Sequence, residues 1–271
     1  MKTIDLIKLS TRTFKTRLTR TLLTILGVSV GIGAIFFLVS LGYGLQYTLL
    51  QSITTSESLL TLDVSSPNGE VLPLNEKVLS EMAKISGVKE ISPLAVLSGQ
   101  ITLGDLTSNI SLYGCRVSYF RLGGYTTSEG NFFENDDEQK GVISTALIKS
   151  FGLDNENTLG NNAKIVLFYD GKNSENGEGL ETVVKEGDYE ISGIIENELD
   201  SLMYIPLDTI SDMGVSNYAQ VKVRVSDNKS ISQVRDEIIA KGFLVSALSD
   251  TVAEANKVFR IIQIINSTAA K

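Results

Sequence analysis

Histidine is absent from all 271 residues, and cysteine occurs once. Without histidine, neither a Ser-His-Asp nor a Cys-His nucleophile system can be assembled, and no zinc site can have an imidazole ligand. Cys115 has no second cysteine to form an internal disulfide with. It reads as a small buried apolar residue, with a reactive thiol or an intermolecular bridge as the other possibilities. No GxxxxGK[ST] occurs anywhere, which excludes a P-loop. The acidic stretch ENDDEQ (Glu134 to Gln139) lacks the alternate ligands, central glycine and distal glutamate of an EF-hand loop, so it reads as a solvated loop. Scattered carboxylate pairs are what any 32 acidic residues supply. No catalytic, cofactor-binding or metal-ligating residue is therefore expected.

Charge is missing altogether from Thr21 to Gln51, and Leu22 to Leu45 also lacks proline. A bilayer core of about 30 Å needs roughly 20 apolar helical residues, which this stretch exceeds. It is also longer than the roughly 7 to 15 residues of a signal-peptide apolar region, and no A-x-A-like cleavage site follows it. The spacing predicts a permanent transmembrane helix over 21–48. Residues 1–20 carry six basic side chains against one acid, a balance of +5 that leaves −13 to the rest of a chain whose total is −8. By the positive-inside rule the basic end stays in the cytoplasm, and everything after Gln51 lies outside it, in or beyond the cell membrane. The acidic remainder argues against a nucleic-acid partner. Within 1–20, Ile4, Ile7, Leu9, Phe14 and Leu18 alternate with basic and hydroxyl residues. That pattern fits an amphipathic segment on membrane lipid, or simply a topology flank. In the span, Gly27 and Gly31 form a GxxxG with Gly33 close by, and such residues let a second helix approach. These three are the candidate helix-packing positions.

Beyond the span the texture is α+β. LLTLDV (Leu59 to Val64) alternates as a strand. Leu74, Val78, Leu79, Met82 and Ile85 share a helical face closed at Gly87, and strands are expected at Val88 to Ala95, Gln100 to Leu103 and Ile110 to Cys115. Gln220 to Val225 begins a second strand-helix-strand unit, with a capping box at Ser230 and Gln233, an apolar face of Ile231, Val234 and Ile238, and Gly242 at the close. Residues 58–117 and 216–248 are expected to pack as one strand-helix-strand subdomain. Residues 118–215, with strands at Ala163 to Tyr169, Glu181 to Lys185, Tyr189 to Glu196 and Met203 to Pro206, read as a mostly β insertion. Residues 249–271 place Val252, Val258, Phe259 and Ile262 at helical spacing, a stalk helix directed toward a second span.

Several stretches together resemble the MacB/FtsX-type permease subunits of ABC transporters. They are RTLLTILGVSVGIGAIFFL (Arg20 to Leu38), SGVKEISPL (Ser86 to Leu94), LYGCRVSYFRL (Leu112 to Leu122), EGNFF (Glu129 to Phe133), GVISTALIKSFG (Gly141 to Gly152), TLGNNAKIVL (Thr158 to Leu167), YEISGIIE (Tyr189 to Glu196) and YIPLDTI (Tyr204 to Ile210). The resemblance implies a first span, a two-part extracytoplasmic domain and then three more spans, so this chain is expected to stop short of the last three. It also implies a non-catalytic subunit partnered by an ABC ATPase chain and a homodimer formed through spans and stalks, the stalk contacts being Val252, Val258, Phe259 and Ile262. A periplasmic adaptor or cell-wall protein is a further implied partner, for export or mechanotransmission. The alternative is the extracytoplasmic sensor domain of a signalling receptor, which predicts signalling helices where the permease predicts further apolar spans.

Overall fold

The structure, a computed structural model, describes residues 18–52, 57–69, 71–155, 158–173, 180–250 and 257. Two compact units are present, one containing the N-terminal helix and one covering Ile53–Glu254. Most of the basic segment lies outside the described residues, as do the stalk positions Val252, Val258, Phe259 and Ile262.

Helix α1 runs from Leu18 to Ser52, 35 residues. Its stretch Leu18–Gly44, in which the most apolar 18-residue window has a mean hydropathy of 2.6, is long and apolar enough to cross a membrane. In the other unit the strands are β1 (Thr61–Ser65), β2 (Val88–Leu103), β3 (Leu106–Cys115), β4 (Glu129–Gly130), β5 (Lys140–Ser144), β6 (Asn162–Asn173), β7 (Leu180–Ile195), β8 (Leu202–Pro206), β9 (Gln220–Val225) and β10 (Leu244–Ala247). The helices are α2 (Glu76–Ala83), α3 (Val117–Gly123), α4 (Thr145–Ser150) and α5 (Asn228–Ala240).

Four strands in the order β10-β1-β9-β2, each antiparallel to its neighbour, form an open sheet. The two strand-helix-strand units, β1-α2-β2 and β9-α5-β10, interleave to make it. Alternation sends Leu62 and Val64 of β1 and Val221, Val223 and Val225 of β9 to one core, where Leu79 and Met82 of α2 and Val234 and Ile238 of α5 join them. The opposite face receives Asp63, Glu90, Ser92, Lys222 and Arg224.

The remaining strands close a ring. β2 pairs with β3, β3 with β8, β8 with β5, β5 with β7, β7 with β6, and β6 returns to β2. This is a small barrel of six strands, with β3/β8 and β5/β7 parallel, filled by side chains such as Leu97, Ile101, Leu112, Ile165, Leu167, Ile191 and Met203.

The sequence reading needs four corrections. Val88–Leu103 is a single 16-residue strand, not two: Val88 to Leu94 pairs with β9 and Ser98 to Thr102 with β6. Gly99 is paired on both sides within this strand, and the position takes a glycine because a Cβ there would run into the Leu112 side chain and the Val166 carbonyl oxygen. β3 is accordingly a barrel wall, so the boundary placed at residue 118 does not separate the two parts, and one hydrophobic cluster runs through both. Likewise β7 is continuous through Gly187, whose empty side the Tyr189 ring covers. Finally, α5 is capped not by Ser230 but by Asp227, whose carboxylate accepts the Lys229 and Ser230 N–H groups at 2.8 and 3.0 Å. Gln233 turns instead to Glu237, 3.1 Å away.

The Gly99→Val substitution is expected to force the β2/β6 seam apart and lower stability by roughly 1–3 kcal/mol. Urea unfolding with amide exchange along β6 checks this, and an unchanged midpoint would show that the seam can spread without cost.

Candidate functional site

The predicted packing glycines stand on an apolar helix surface. A Cβ at Gly27, Gly31 or Gly33 would meet nothing within 4 Å, so these positions are open to an outside neighbour rather than filled from this chain's described residues. At 3.6 residues per turn Gly27 and Gly31 share one face, whereas Gly33, two residues on, turns to the far side. One helix neighbour cannot use all three.

The densest arrangement of polar and aromatic side chains lies where α3 crosses the charged face of the open sheet. Sequence reading missed it, because its members come from six separate segments. α3 is a helix of seven residues with no side-chain cap of its own. Instead Asp136, in the acidic loop read as merely solvated, reaches across and accepts the Val117 N–H at 2.6 Å. A carboxylate at that end also suits the helix dipole. Gly124 (φ 67°) adopts the left-handed conformation that ends the helix, and the Tyr125 N–H donates back to the Phe120 carbonyl at 2.9 Å.

Toward the sheet, the Tyr119 hydroxyl donates to Gln220 Oε1 at 2.8 Å and the Ser118 hydroxyl to Ser92 Oγ at 2.9 Å. Lys222 rises from β9 beneath the helix, its Nζ 4.9 Å from the Tyr119 ring centre and 5.8 Å from that of Tyr125, while donating to Asp63 Oδ1 at 2.7 Å. A buried ammonium needs both kinds of compensation, a carboxylate and ring faces. Gly123 leaves the room for this, since a Cβ there would press on the Tyr125 ring and Lys222 Cε.

Toward the barrel, Phe120 stacks on Phe132 at 4.0 Å and meets Phe133 and Tyr204 edge-on, both at 5.2 Å. Tyr113 of β3 closes on Tyr204 of β8 at 5.2 Å. Cys115 lies buried in this cluster. Burial, reinforced by the nearby Asp136 carboxylate, raises its thiol well above the ordinary range and leaves it neutral and unreactive. Burial likewise raises the Tyr119 and Tyr204 hydroxyls.

At its C-terminal end α3 presents Arg121. The guanidinium donates to both Glu90 oxygens at 2.7 Å and also binds Glu57, whose other oxygen lies 2.7 Å from Arg224. Arg224 is in turn 3.8 Å from Glu90, so two arginines and two glutamates form one network. The bond from Arg121 is the main reason that Glu57 titrates below its ordinary 4.5, with burial opposing it and the charges of Arg121, Arg224 and Lys89 adding to it. The arrangement holds elements together and offers no nucleophile, base or open ligand set. Among the described residues no three acid or cysteine side chains gather as a metal would require.

The described residues thus combine a helix long and apolar enough to cross a membrane with an α+β domain whose polar groups at the α3 seat are paired with one another. The sequence profile of the MacB-like periplasmic core domain matches residues 21–241, and the chain belongs to that family, the extracytoplasmic domain of ABC-transporter permeases. It is 25% identical over 255 residues to the macrolide export ATP-binding/permease protein MacB of Aggregatibacter actinomycetemcomitans, covering 87% of this chain and 38% of that protein. With the macrolide export ATP-binding/permease protein MacB of Acinetobacter baylyi it shares 27% identity over 244 residues, 81% of this chain and 33% of that one. The chain thus spans between a third and two fifths of the length of these relatives. Among solved structures, the periplasmic region of MacB from Actinobacillus actinomycetemcomitans matches with a TM-score of 0.52 at 18% identity, over 78% of this chain and 98% of that one, a likeness of fold.

Two predictions follow from the α3 seat. The Lys222 side chain is 6% exposed and that of Asp63 30%, so the two halves of the pair are unequal. Asp63→Asn strands a buried ammonium and is expected to cost about 3 kcal/mol, whereas Lys222→Met, which leaves a carboxylate that can reach water, should cost clearly less; equal losses in urea unfolding would refute this asymmetry. Because the folded Glu57 pKa is depressed, its contribution is complete above about pH 4.5 and is lost as pH falls through the folded value. Glu57→Gln should therefore flatten the acid limb of the stability profile and leave the slope near neutrality unchanged, as read by unfolding midpoints from pH 7 to 3.

Proposed function

We propose that the chain acts in the permease subunit of an ABC transporter, where ATP hydrolysed by a partner chain moves the spans and the extracytoplasmic domain moves with them, for export or for mechanical control of an external partner. The observation that carries this reading is the family match across residues 21–241, which takes in both the apolar helix and the domain. The relatives' names join ATP binding to permease function. No P-loop lies within this sequence, so on this reading nucleotide is bound by another chain or by a domain outside it. The basic flank of α1 supports a cytoplasmic N-terminus with the domain outside. A homodimer through the spans places Gly27 and Gly31 at the helix contact, with Gly33 facing a different neighbour. The stalk positions Val252, Val258, Phe259 and Ile262 extend that contact, and a periplasmic adaptor or cell-wall protein meets the domain.

Mild-detergent extraction from native membranes, followed by native mass measurement, tests the assembly. A dimer carrying an ATP-binding chain is expected, and a monomer without one would sink the proposal. Replacing Gly27 and Gly31 together by Leu should reduce recovered dimer severalfold without altering the unfolding transition of the domain. Undiminished dimer would remove these glycines from the contact.

A further inference from the structure

Four residues separate Ser52, the last of α1, from Glu57, the first described residue of the domain. Glu57 is held unusually firmly for a residue at the start of a domain. Its backbone carbonyl accepts the Leu60 N–H at 3.0 Å and the Thr61 hydroxyl at 2.9 Å, and its carboxylate is shared by Arg121 and Arg224. Displacement of Glu57, the first described residue of the domain, meets two exits from it. One is Arg224 on β9, hence the open sheet. The other is Arg121, hence α3.

α3 is built to behave as one stiff piece about 10 Å long. Asp136 fixes one end, Gly124 the other, and Arg121 is held simultaneously by Glu57 and Glu90. One turn carries both kinds of contact: Arg121 grips Glu57, the first described residue of the domain, and Phe120 beside it is packed on Phe132 and on Tyr204 of the barrel strand β8. Close-packed aromatic groups transmit a rigid-body shift because no empty volume is available to absorb it. We propose that α3 is the relay that delivers displacement of the domain's first residues to the barrel, with Arg121 as its positioning residue. The use of this relay in transport rests on the coupling reading above; the relay itself is a property of the domain.

The rival route is β2, which is hydrogen-bonded in both the open sheet and the barrel. Arg121 also touches β2 through Glu90, so Glu90→Gln is measured beside it: a relay through α3 leaves the Tyr204 response to Glu57→Ala in place when Glu90 is changed, and loss of that response would assign the relay to β2. The test uses the full chain in lipid nanodiscs, fluorotyrosine labelling and fluorine NMR, each of the nine tyrosines being assigned by its Tyr→Phe variant. Glu57→Ala is expected to shift the Tyr204 resonance, and in an Arg121→Ala background that same substitution should shift it at least about fivefold less. Arg121→Lys, which keeps charge but loses the fork that spans two carboxylates, should fall between the two and also serves if the alanine variant folds poorly. Lys149→Ala, which breaks the exposed Lys149–Glu198 pair at 2.6 Å, should not alter the response of Tyr204 to Glu57→Ala. A Tyr204 shift that survives loss of Arg121 would assign the relay to β2 and overturn the proposal, as would a Glu57→Ala variant that leaves Tyr204 unmoved. Neither outcome depends on a partner ATPase, so failure here is distinct from failure of the transporter assignment.

Discussion

The constraint on which the domain depends is that one strand serves two hydrogen-bonding partners on the same edge. The first half of β2 uses that edge for β9 and the second half for β6, while β3 occupies the other edge from Leu94 to Leu103. The open sheet and the barrel are therefore parts of one ladder, and neither can rotate freely against the other without breaking main-chain bonds. Gly99 sits at the start of the second half. Its missing side chain lets β3 and β6 approach from both sides, so the change of partner takes place without a gap.

That arrangement leaves a problem on the open sheet, whose second face is not covered by α2 or α5. A polar face suits it, but a short helix must still cross there because the chain passes from β3 to β4. α3 manages this with charges kept in pairs: Lys222 with Asp63, Arg121 with Glu57 and Glu90, Arg224 with Glu57. An apolar helix face would have stranded these groups, and a wholly polar one would not have reached the barrel. Tyr119, Phe120 and Arg121 divide the work in consecutive positions, hydroxyl to the sheet, ring to the barrel and guanidinium to the glutamates.

Much of the architecture was legible in the residues. Alternation in QVKVRV and the apolar periodicity around Leu79 and Val234 mark true elements, because period-2 and period-3.6 patterns report burial directly. The uncharged run of α1 was equally plain. The reading went astray where a glycine performs a packing task that resembles a turn, at Gly99 and Gly187, and where a cap lies one turn ahead of a plausible box, at Asp227. The division at residue 118 failed for a different reason, since strand pairing between β3 and β8 joins residues about ninety positions apart and leaves no local trace. The α3 seat was the least visible feature of all. Asp63, Glu57, Lys222 and Asp136 look like ordinary surface charges in sequence, and only the fold brings them together.

Cys115 has a consequence that concerns folding rather than the folded state. In the finished domain its thiol is sealed between β3, β8 and the aromatic cluster, where oxidants and other chains do not reach it. Before β3 and β8 pair, the same sulfur is exposed and of ordinary acidity. The domain protects it only by folding, so in an oxidising compartment closure of the parallel β3/β8 ladder races against disulfide formation between neighbouring chains. A non-local parallel pairing is among the slower steps a small domain undertakes, which makes the only cysteine a timer for the completion of the barrel.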